Sequence, residues 1–232
     1  MKIADPRPLL AQVDQDRFNK LLFRNVSRRI YEVQPVEPSV EVASASGGHS
    51  ASGGKAGKQV TGRVQRFGDH VDTDAIIPGE FCHLTKLEEI GPHAFHHVRP
   101  QFYPRAQAGQ TLVVAGEGWG SGSSREQAVW ALLGAGVQAV IAKSYAFIHK
   151  RNLVNEALPY LVVTDPGFHD LAQENAELSV DLANGEVTHL ASGRTFKAEP
   201  PSPIVRALQQ EGGLVPAIKH HGNQVFEVLG SA

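Results

Sequence analysis

The sequence predicts an α/β fold whose partly parallel sheet is flanked by helices and followed by a hairpin. Three observations predict it: short apolar runs rich in β-branched residues, helical patterns that alternate with these runs, and a later change to hairpin periodicity. Alternating strands and helices favour a parallel sheet with helices on its faces, and a hairpin adds antiparallel strands.

The predicted elements begin near residue 62. Strands are expected at 62–67, 110–116, 137–142 and 158–164, and helices at 124–133 and 147–156. Residues 86–95 should form two short turns, because Gly91-Pro92 interrupts a helical pattern. A hairpin is expected over 177–190, with Asn184-Gly185 supplying the positive φ angles of its turn. Residues 194–198 and 203–210 are a further candidate strand and helix.

Composition excludes several classes of protein. The 232 residues carry a net charge of −2, which argues against a basic nucleic-acid or membrane-surface binder. No run approaches the ~20 apolar residues that span a bilayer. The single cysteine, Cys82, excludes a disulfide within the chain and a self-contained iron–sulfur or zinc-thiolate site. We therefore expect a soluble, cytoplasmic protein.

The chain divides by composition into three segments. Residues 1–42 form an N-terminal extension with a basic, amphipathic helical pattern. Its acidic residues argue against a mitochondrial transit peptide, and a docking or fraying helix is the alternative. Residues 43–60 are rich in Gly and Ser and are predicted to be a flexible linker, and residues 61–232 form the folded domain.

A glycine-rich loop is the strongest chemical signal. Residues 116–128, GEGWGSGSSREQA, lie between a buried strand and a helix. Alternating glycines allow sharp turns and close approach of a ligand, and we expect Ser123 or Ser124 at the helix N-terminus, which favours anions. Ser123 and Glu126 equally fit a capping box, which is a structural explanation. The glycine spacing does not match the G-x-G-x-x-G pattern of dinucleotide-binding loops.

Two further segments follow predicted strands. Residues 68–78, GDHVDTDAIIP, place Asp72, Thr73 and Asp74 in a turn, a cap or a site. Residues 142–159, AKSYAFIHKRNLVNEALP, begin where ligands gather in an open parallel sheet, although a solvated helix face is the alternative. His93, His96 and His97 have the spacing of a helical metal site, but no acid or thiol nearby completes the ligand set.

In this order and spacing, the three segments resemble the small subunit of the isopropylmalate dehydratase family, whose fold is the swivelling domain of aconitase. The resemblance is close over residues 61–163 and looser beyond them. It implies a hydro-lyase that moves a hydroxyl between adjacent carbons of a hydroxy di- or tricarboxylic acid. It also implies a four-iron, four-sulfur cluster, which a chain with one cysteine cannot house, so a large iron–sulfur subunit must carry it.

The resemblance assigns roles by motif position. Ser123 is implied as the base that removes a proton beside a carboxylate, while Ser124 and Arg125 bind substrate carboxylates. Asp72, Thr73 and Asp74 are implied to shape the adjacent site wall. A non-catalytic module that binds an anionic metabolite or regulates a partner is the alternative.

Departures from the family pattern leave the substrate open. Gln127 stands where His is usual, and Ser121 where Cys is frequent. His83 stands where many relatives have an arginine that contacts the variable end of the substrate. Because histidine is only partly charged near neutral pH, isopropylmalate, methylated malate or citrate, homocitrate and maleate-type diacids all remain candidates.

Overall fold

A mixed seven-stranded sheet organises the part of the chain that the computed structural model describes, residues 59–199 and 201–230. The spatial order is β4-β3-β2-β1-β5-β6-β7. The strands are β1 (Gln59–Arg66), β2 (Leu112–Ala115), β3 (Ala139–Ala142), β4 (Tyr160–Val162), β5 (Glu177–Asp181), β6 (Glu186–His189) and β7 (Arg194–Lys197). Strands β1 to β4 pair in parallel, and β5 to β7 continue the sheet from β1 in antiparallel fashion. The partly parallel sheet is confirmed.

Helices connect the parallel strands and end the chain. They are α1 (Thr73–Ile76), α2 (Leu87–Ile90), α3 (Phe102–Gln107), α4 (Gln127–Gly134), α5 (Phe147–Asn155), α6 (Pro166–Leu171), α7 (Pro203–Glu211), α8 (Leu214–His221) and α9 (Val225–Gly230). The two short turns predicted over 86–95 are α2 and the 3₁₀ turn Gly91–His93. Within residues 59–199 and 201–230, the structure contains no helix with the length and hydropathy of a bilayer-spanning segment.

Alternate residues of the central strands enter two separate cores. Val113 and Ala115 of β2 belong to a core that also contains residues of α1 to α5. Leu112 and Val114 belong to a second core, shared with α6 and the antiparallel strands. Since successive side chains of a strand point to opposite faces, a sheet covered on both faces requires an unbroken apolar run, and β2 and β3 are such runs.

The hairpin forms, but its turn differs from the prediction. Asp181 pairs with Glu186, which leaves a four-residue connection. The Asp181 carboxylate accepts the backbone N–H groups of Ala183 and Asn184 at 2.9 and 3.0 Å, and of the two predicted positions only Gly185 has a positive φ, 66°. The strands are therefore joined by a four-residue loop that the aspartate stabilises through backbone amides, and not by a tight two-residue turn.

The predictions for residues 1–60 concern mainly residues outside the described ranges. These are the predicted extension, residues 1–42, and residues 43–58 of the predicted linker. β1 begins at Gln59, earlier than predicted, and so takes up the last two residues assigned to the linker.

Candidate functional site

The three segments singled out in the sequence meet beyond the carboxyl ends of β1, β2 and β3. The glycine-rich loop lies between the other two. On one side Thr73 N–H donates to the Ser121 carbonyl at 2.8 Å. On the other side Trp119 N–H donates to the Ser144 carbonyl at 3.1 Å. Isolated parallel bridges pair Asp72 with Ser121 and Trp119 with Tyr145, so the loops prolong the parallel pairing into the site.

Two glycines of the central loop are required by their surroundings. Gly120 has φ +77°, and a Cβ there would lie 2.2 Å from Cγ of His149. Gly122 has φ +103°, and a Cβ there would lie 3.1 Å from Thr73 Oγ1. Positive φ strains any residue with a side chain, so the loop needs glycine for its backbone and for close packing.

Ser123 lies at the centre of a polar cluster. Its N–H donates to Thr73 Oγ1 at 2.9 Å, and its own Oγ lies 3.0 Å from the same Thr73 oxygen. Arg125 Nε donates to Ser123 Oγ at 2.7 Å. Because Thr73 Oγ1 already accepts an N–H, its hydrogen can point to Ser123. The Ser123 oxygen can therefore accept two hydrogen bonds, which stabilises negative charge on it.

The expected placement of Ser123 at a helix end is wrong. α4 begins at Gln127, and its N-cap, Glu126, makes no capping hydrogen bond through its side chain. Ser123 and Ser124 lie in the loop before it, so the predicted capping box does not form. The Thr73 hydroxyl and the Arg125 guanidinium, rather than helix-end amides, surround the Ser123 oxygen.

Arg125 is fixed from three directions. Besides its bond to Ser123, the guanidinium makes an ion pair with Asp74 and donates from Nη1 to Cys82 Sγ at 3.2 Å. Its side chain is 31% exposed, so it remains partly accessible to a ligand. Asp74 thus places a carboxylate on the guanidinium that is implied to bind substrate carboxylates.

Asp72 has a local structural role. Its Oδ1 accepts the Ala75 N–H at 2.6 Å, which makes it the N-cap of α1. Thr73 is the first residue of that helix and is fully buried, whereas Asp74 is exposed. The cap orients the first turn so that the Thr73 hydroxyl faces Ser123.

Ser124 is held from the opposite side by α5. Asn152, itself 1% exposed, donates from Nδ2 to the Ser124 carbonyl at 3.0 Å. One turn earlier on α5, His149 packs against Gly120 and is also 1% exposed, and its two ring nitrogens have no hydrogen-bond partner among the residues that the structure describes. Burial lowers the pKa of His149 to about 4, so the imidazole is neutral near pH 7.

A third carboxylate, that of Asp69, connects residues 68–78 to the glycine-rich loop. It accepts the Glu117 N–H at 2.7 Å, and this hydrogen bond lowers the pKa of the Asp69 carboxyl, as do the nearby charges of Lys143, His70 and Arg66. The Asp69 carboxyl is therefore ionised near pH 7.

His83 does not join the cluster around Ser123 through the contacts it makes. It is exposed, and its Nδ1 donates to the Glu80 carbonyl of its own turn at 2.7 Å. Its neighbour Cys82 contacts Arg125, and the Cys82 carbonyl accepts from Gln127 Nε2 at 3.3 Å. The role implied for His83 therefore stays a prediction.

Sequence reasoning missed three residues that touch the site: Cys82, His149 and Asn152. His149 and Asn152 lie in the segment 142–159 singled out in the sequence, and their spacing of three places them on one helical face, but neither was assigned a role. Nothing in the sequence marks Cys82, because its contact with Arg125 spans 43 residues.

The residues of this chain do not fit an iron–sulfur cluster. Such a cluster needs several thiolates, and the chain has one cysteine. The spacing of His93, His96 and His97 does not produce a metal site either. Gly91–His93 is a 3₁₀ turn, the Phe95 backbone has φ +56°, and His93 stacks on Phe81 at 4.0 Å.

Comparison with known proteins identifies relatives of this arrangement. The Aconitase C-terminal domain family matches residues 101–165. The methanogen homoaconitase small subunit of Methanothermobacter thermautotrophicus is 40% identical over 156 residues, covering 67% of this chain and 88% of that protein. The 3-isopropylmalate dehydratase small subunit 1 of Methanopyrus kandleri is 37% identical over 168 residues, covering 72% and 97%.

A solved structure shares the fold. The crystal structure of 3-isopropylmalate dehydratase from Methanocaldococcus jannaschii superposes with a TM-score of 0.65 at 35% identity, covering 75% of this chain and 98% of that one. Sequence and fold agree over the region that contains the three loops. The chain therefore belongs to the family of 3-isopropylmalate dehydratase small subunits, within the aconitase superfamily.

Proposed function

We propose that this chain is the small subunit of a two-subunit, cytoplasmic hydro-lyase that dehydrates and rehydrates a hydroxy di- or tricarboxylic acid. The observation that carries the proposal is the position of Ser123 Oγ, which lies 2.7 Å from Arg125 Nε and 3.0 Å from Thr73 Oγ1. A serine that removes a proton from carbon must act as an alkoxide, and both neighbours can donate hydrogen bonds to that charge.

In the proposed reaction Ser123 Oγ takes the proton from the carbon next to a substrate carboxylate. The electron pair of the broken C–H bond forms the double bond, and the C–O bond of the adjacent carbon breaks with its electron pair leaving on hydroxide. This hydroxide and the proton taken by Ser123 together make up the water that is lost. In the hydration direction the proton returns from Ser123 to carbon. The Arg125 guanidinium holds the carboxylate beside the reacting carbon, where Asp74 now pairs with it.

A large partner subunit is part of the proposal. With its one cysteine, this chain leaves the four-iron, four-sulfur cluster and its Lewis-acid chemistry to that subunit. Relatives named as small subunits of homoaconitase and of 3-isopropylmalate dehydratase support this assignment and suggest homocitrate-type and isopropylmalate-type acids as the first substrates to test.

The test is reconstitution with the large subunit under anaerobic conditions, followed by ultraviolet detection of unsaturated product. Ser123→Ala should lower kcat by about 10²–10⁴-fold while the complex still assembles, because a general base contributes on that scale. Ser121→Ala is the matched control: it removes a hydroxyl from the same loop and leaves the Ser121 carbonyl bond to the Thr73 N–H in place. A Ser123→Ala complex with full turnover would remove the base. A wild-type complex with no turnover on any hydroxy acid would favour a non-catalytic binding module.

A further inference from the structure

The C-terminal helices bring together a carboxylate and two imidazoles that the proposed reaction does not use. Glu211 is the last residue of α7, and His220 and His221 are the last residues of α8. Glu211 Oε2 lies 3.1 Å from His220 Nδ1, and Glu211 Oε1 lies 2.9 Å from His221 Nε2. Each carboxylate oxygen therefore faces one ring nitrogen.

The turn between the helices makes this arrangement possible. Gly212 and Gly213 have φ of +83° and +112°, and a Cβ on Gly213 would lie 2.3 Å from the Asn155 carbonyl oxygen. The chain can thus reverse closely against the end of α5. Val154 of α5 joins Ala207, Leu208, Ala217, Val225 and Leu229 in a small core beneath the pair.

The spacing of these groups suits a transition-metal ion. One ligand atom from each residue lies within 4.8 Å of the other two, and no other group of three His, Cys, Asp or Glu in the described ranges meets that criterion. Zn²⁺ binds imidazole nitrogen and carboxylate oxygen at about 2.0–2.2 Å, so tetrahedral ligands lie roughly 3.3 Å apart. Only small side-chain movements separate the observed distances from that value.

We propose that Glu211, His220 and His221 form a binding site for one divalent transition-metal ion of the Zn²⁺ type. Two imidazoles and a carboxylate supply three ligands, and a water completes the tetrahedron, because the His220 side chain is 70% exposed. The ion replaces the two N–H protons that now point at the carboxylate, since a carboxylate can only accept them. It joins the ends of α7 and α8.

The test uses the full chain and two metals. Zn²⁺ titration by calorimetry should show one site, and Co²⁺ should give the visible absorption of a tetrahedral complex. Glu211→Gln and His220→Asn should each weaken binding at least tenfold. His97→Asn is the matched control: His97 Nε2 also faces a carboxylate, that of Glu80, at 3.2 Å, but without a second imidazole on it. It should bind as wild type does.

Thermal unfolding supplies a second readout, because a ligand that binds the folded state raises Tm. Zn²⁺ should raise the Tm of the wild-type chain and of His97→Asn, but not that of Glu211→Gln. His220→Asn is included because the His220 side chain is largely exposed, so we expect this variant to fold even if Glu211→Gln does not. Absence of one-site binding in the wild type overturns the proposal. So does unchanged affinity in folded His220→Asn and Glu211→Gln.

Discussion

Replacing Thr73 with valine removes one hydroxyl from the Ser123 cluster and keeps the shape of the side chain. The Thr73 oxygen accepts the Ser123 N–H at 2.9 Å and lies 3.0 Å from Ser123 Oγ. Thr73→Val therefore leaves an N–H without its acceptor and an alkoxide without one of its two donors. These losses affect stability and catalysis separately.

The expected loss of stability is small and the expected loss of turnover is large, so unfolding and kinetic measurements can separate the two effects. An unpaired N–H costs about 1–3 kcal/mol, and because Ser123 is only half-buried we expect the lower end, about 1 kcal/mol. Loss of one hydrogen bond to the Ser123 alkoxide makes this reactive form less stable and should lower kcat by about 10²–10³-fold, the scale of one hydrogen bond to an oxyanion. KM should change little, because the Thr73 side chain is buried and its hydroxyl lies within hydrogen-bonding distance of Ser123 Oγ.

Thr73→Ser is the matched control. It keeps the hydroxyl and loses one buried methyl group, which costs about 1 kcal/mol. The two variants should therefore unfold at similar urea concentrations, while only Thr73→Val loses turnover in the reconstituted complex. Equal kcat values for the two variants would refute the argument that Thr73 stabilises charge on Ser123.

Three further changes test other parts of the site. Gly120→Ala should lower the free energy of unfolding in urea by about 3 kcal/mol, because the new Cβ would overlap the His149 ring. Gly193→Ala is the control: it has a similar φ of +68° and no described atom near its Cβ, so it should lower the free energy of unfolding by only about 1 kcal/mol. His149 has a pKa of about 4 in the folded chain, against 6.5 in the unfolded chain. Between these values only the unfolded state binds a proton, so the free energy of unfolding decreases as the pH is lowered. The free energy of unfolding measured in urea should decrease by about 2 kcal/mol because of this residue between pH 7.5 and pH 5, and His149→Phe should lack this part of the pH dependence. The same pH dependence in both proteins would show that the histidine is protonated in the folded chain. Alkylation of this chain with iodoacetamide before the large subunit is added modifies its single cysteine, Cys82, and should inhibit turnover of the reconstituted complex by displacing Arg125. A Cys82→Ser chain treated in the same way should form a complex that stays active.

Local patterns in the sequence were sufficient to predict most of the strands and helices. The apolar β-branched runs predicted β2 and β3 because both faces of these strands are buried. The interruption at Gly91-Pro92 correctly predicted two short turns. The family resemblance rested on three loops that the structure brings together, because the carboxyl ends of neighbouring parallel strands meet at one edge of a sheet.

The start of α4 shows where local patterns fail. The sequence predicted a helix from residue 124, but the structure begins it at Gln127. The Ser123 N–H is bonded to Thr73 and the Ser124 carbonyl to Asn152, so tertiary partners take backbone groups that a helix end would use. These partners lie 50 and 28 residues away in the chain, and no local pattern reports them.

The sequence by itself determined which residue types the site contains: a serine pair, an arginine and an acidic turn, spaced as in one family. Only the tertiary structure decided what each one touches. Thr73 became a partner of Ser123, Asp72 became a helix cap, and Cys82 rather than His83 met Arg125. The reason is physical: hydrogen bonds and ion pairs depend on distances of about 3 Å between groups far apart in the chain, and these distances are set by the packing of the sheet and its loops.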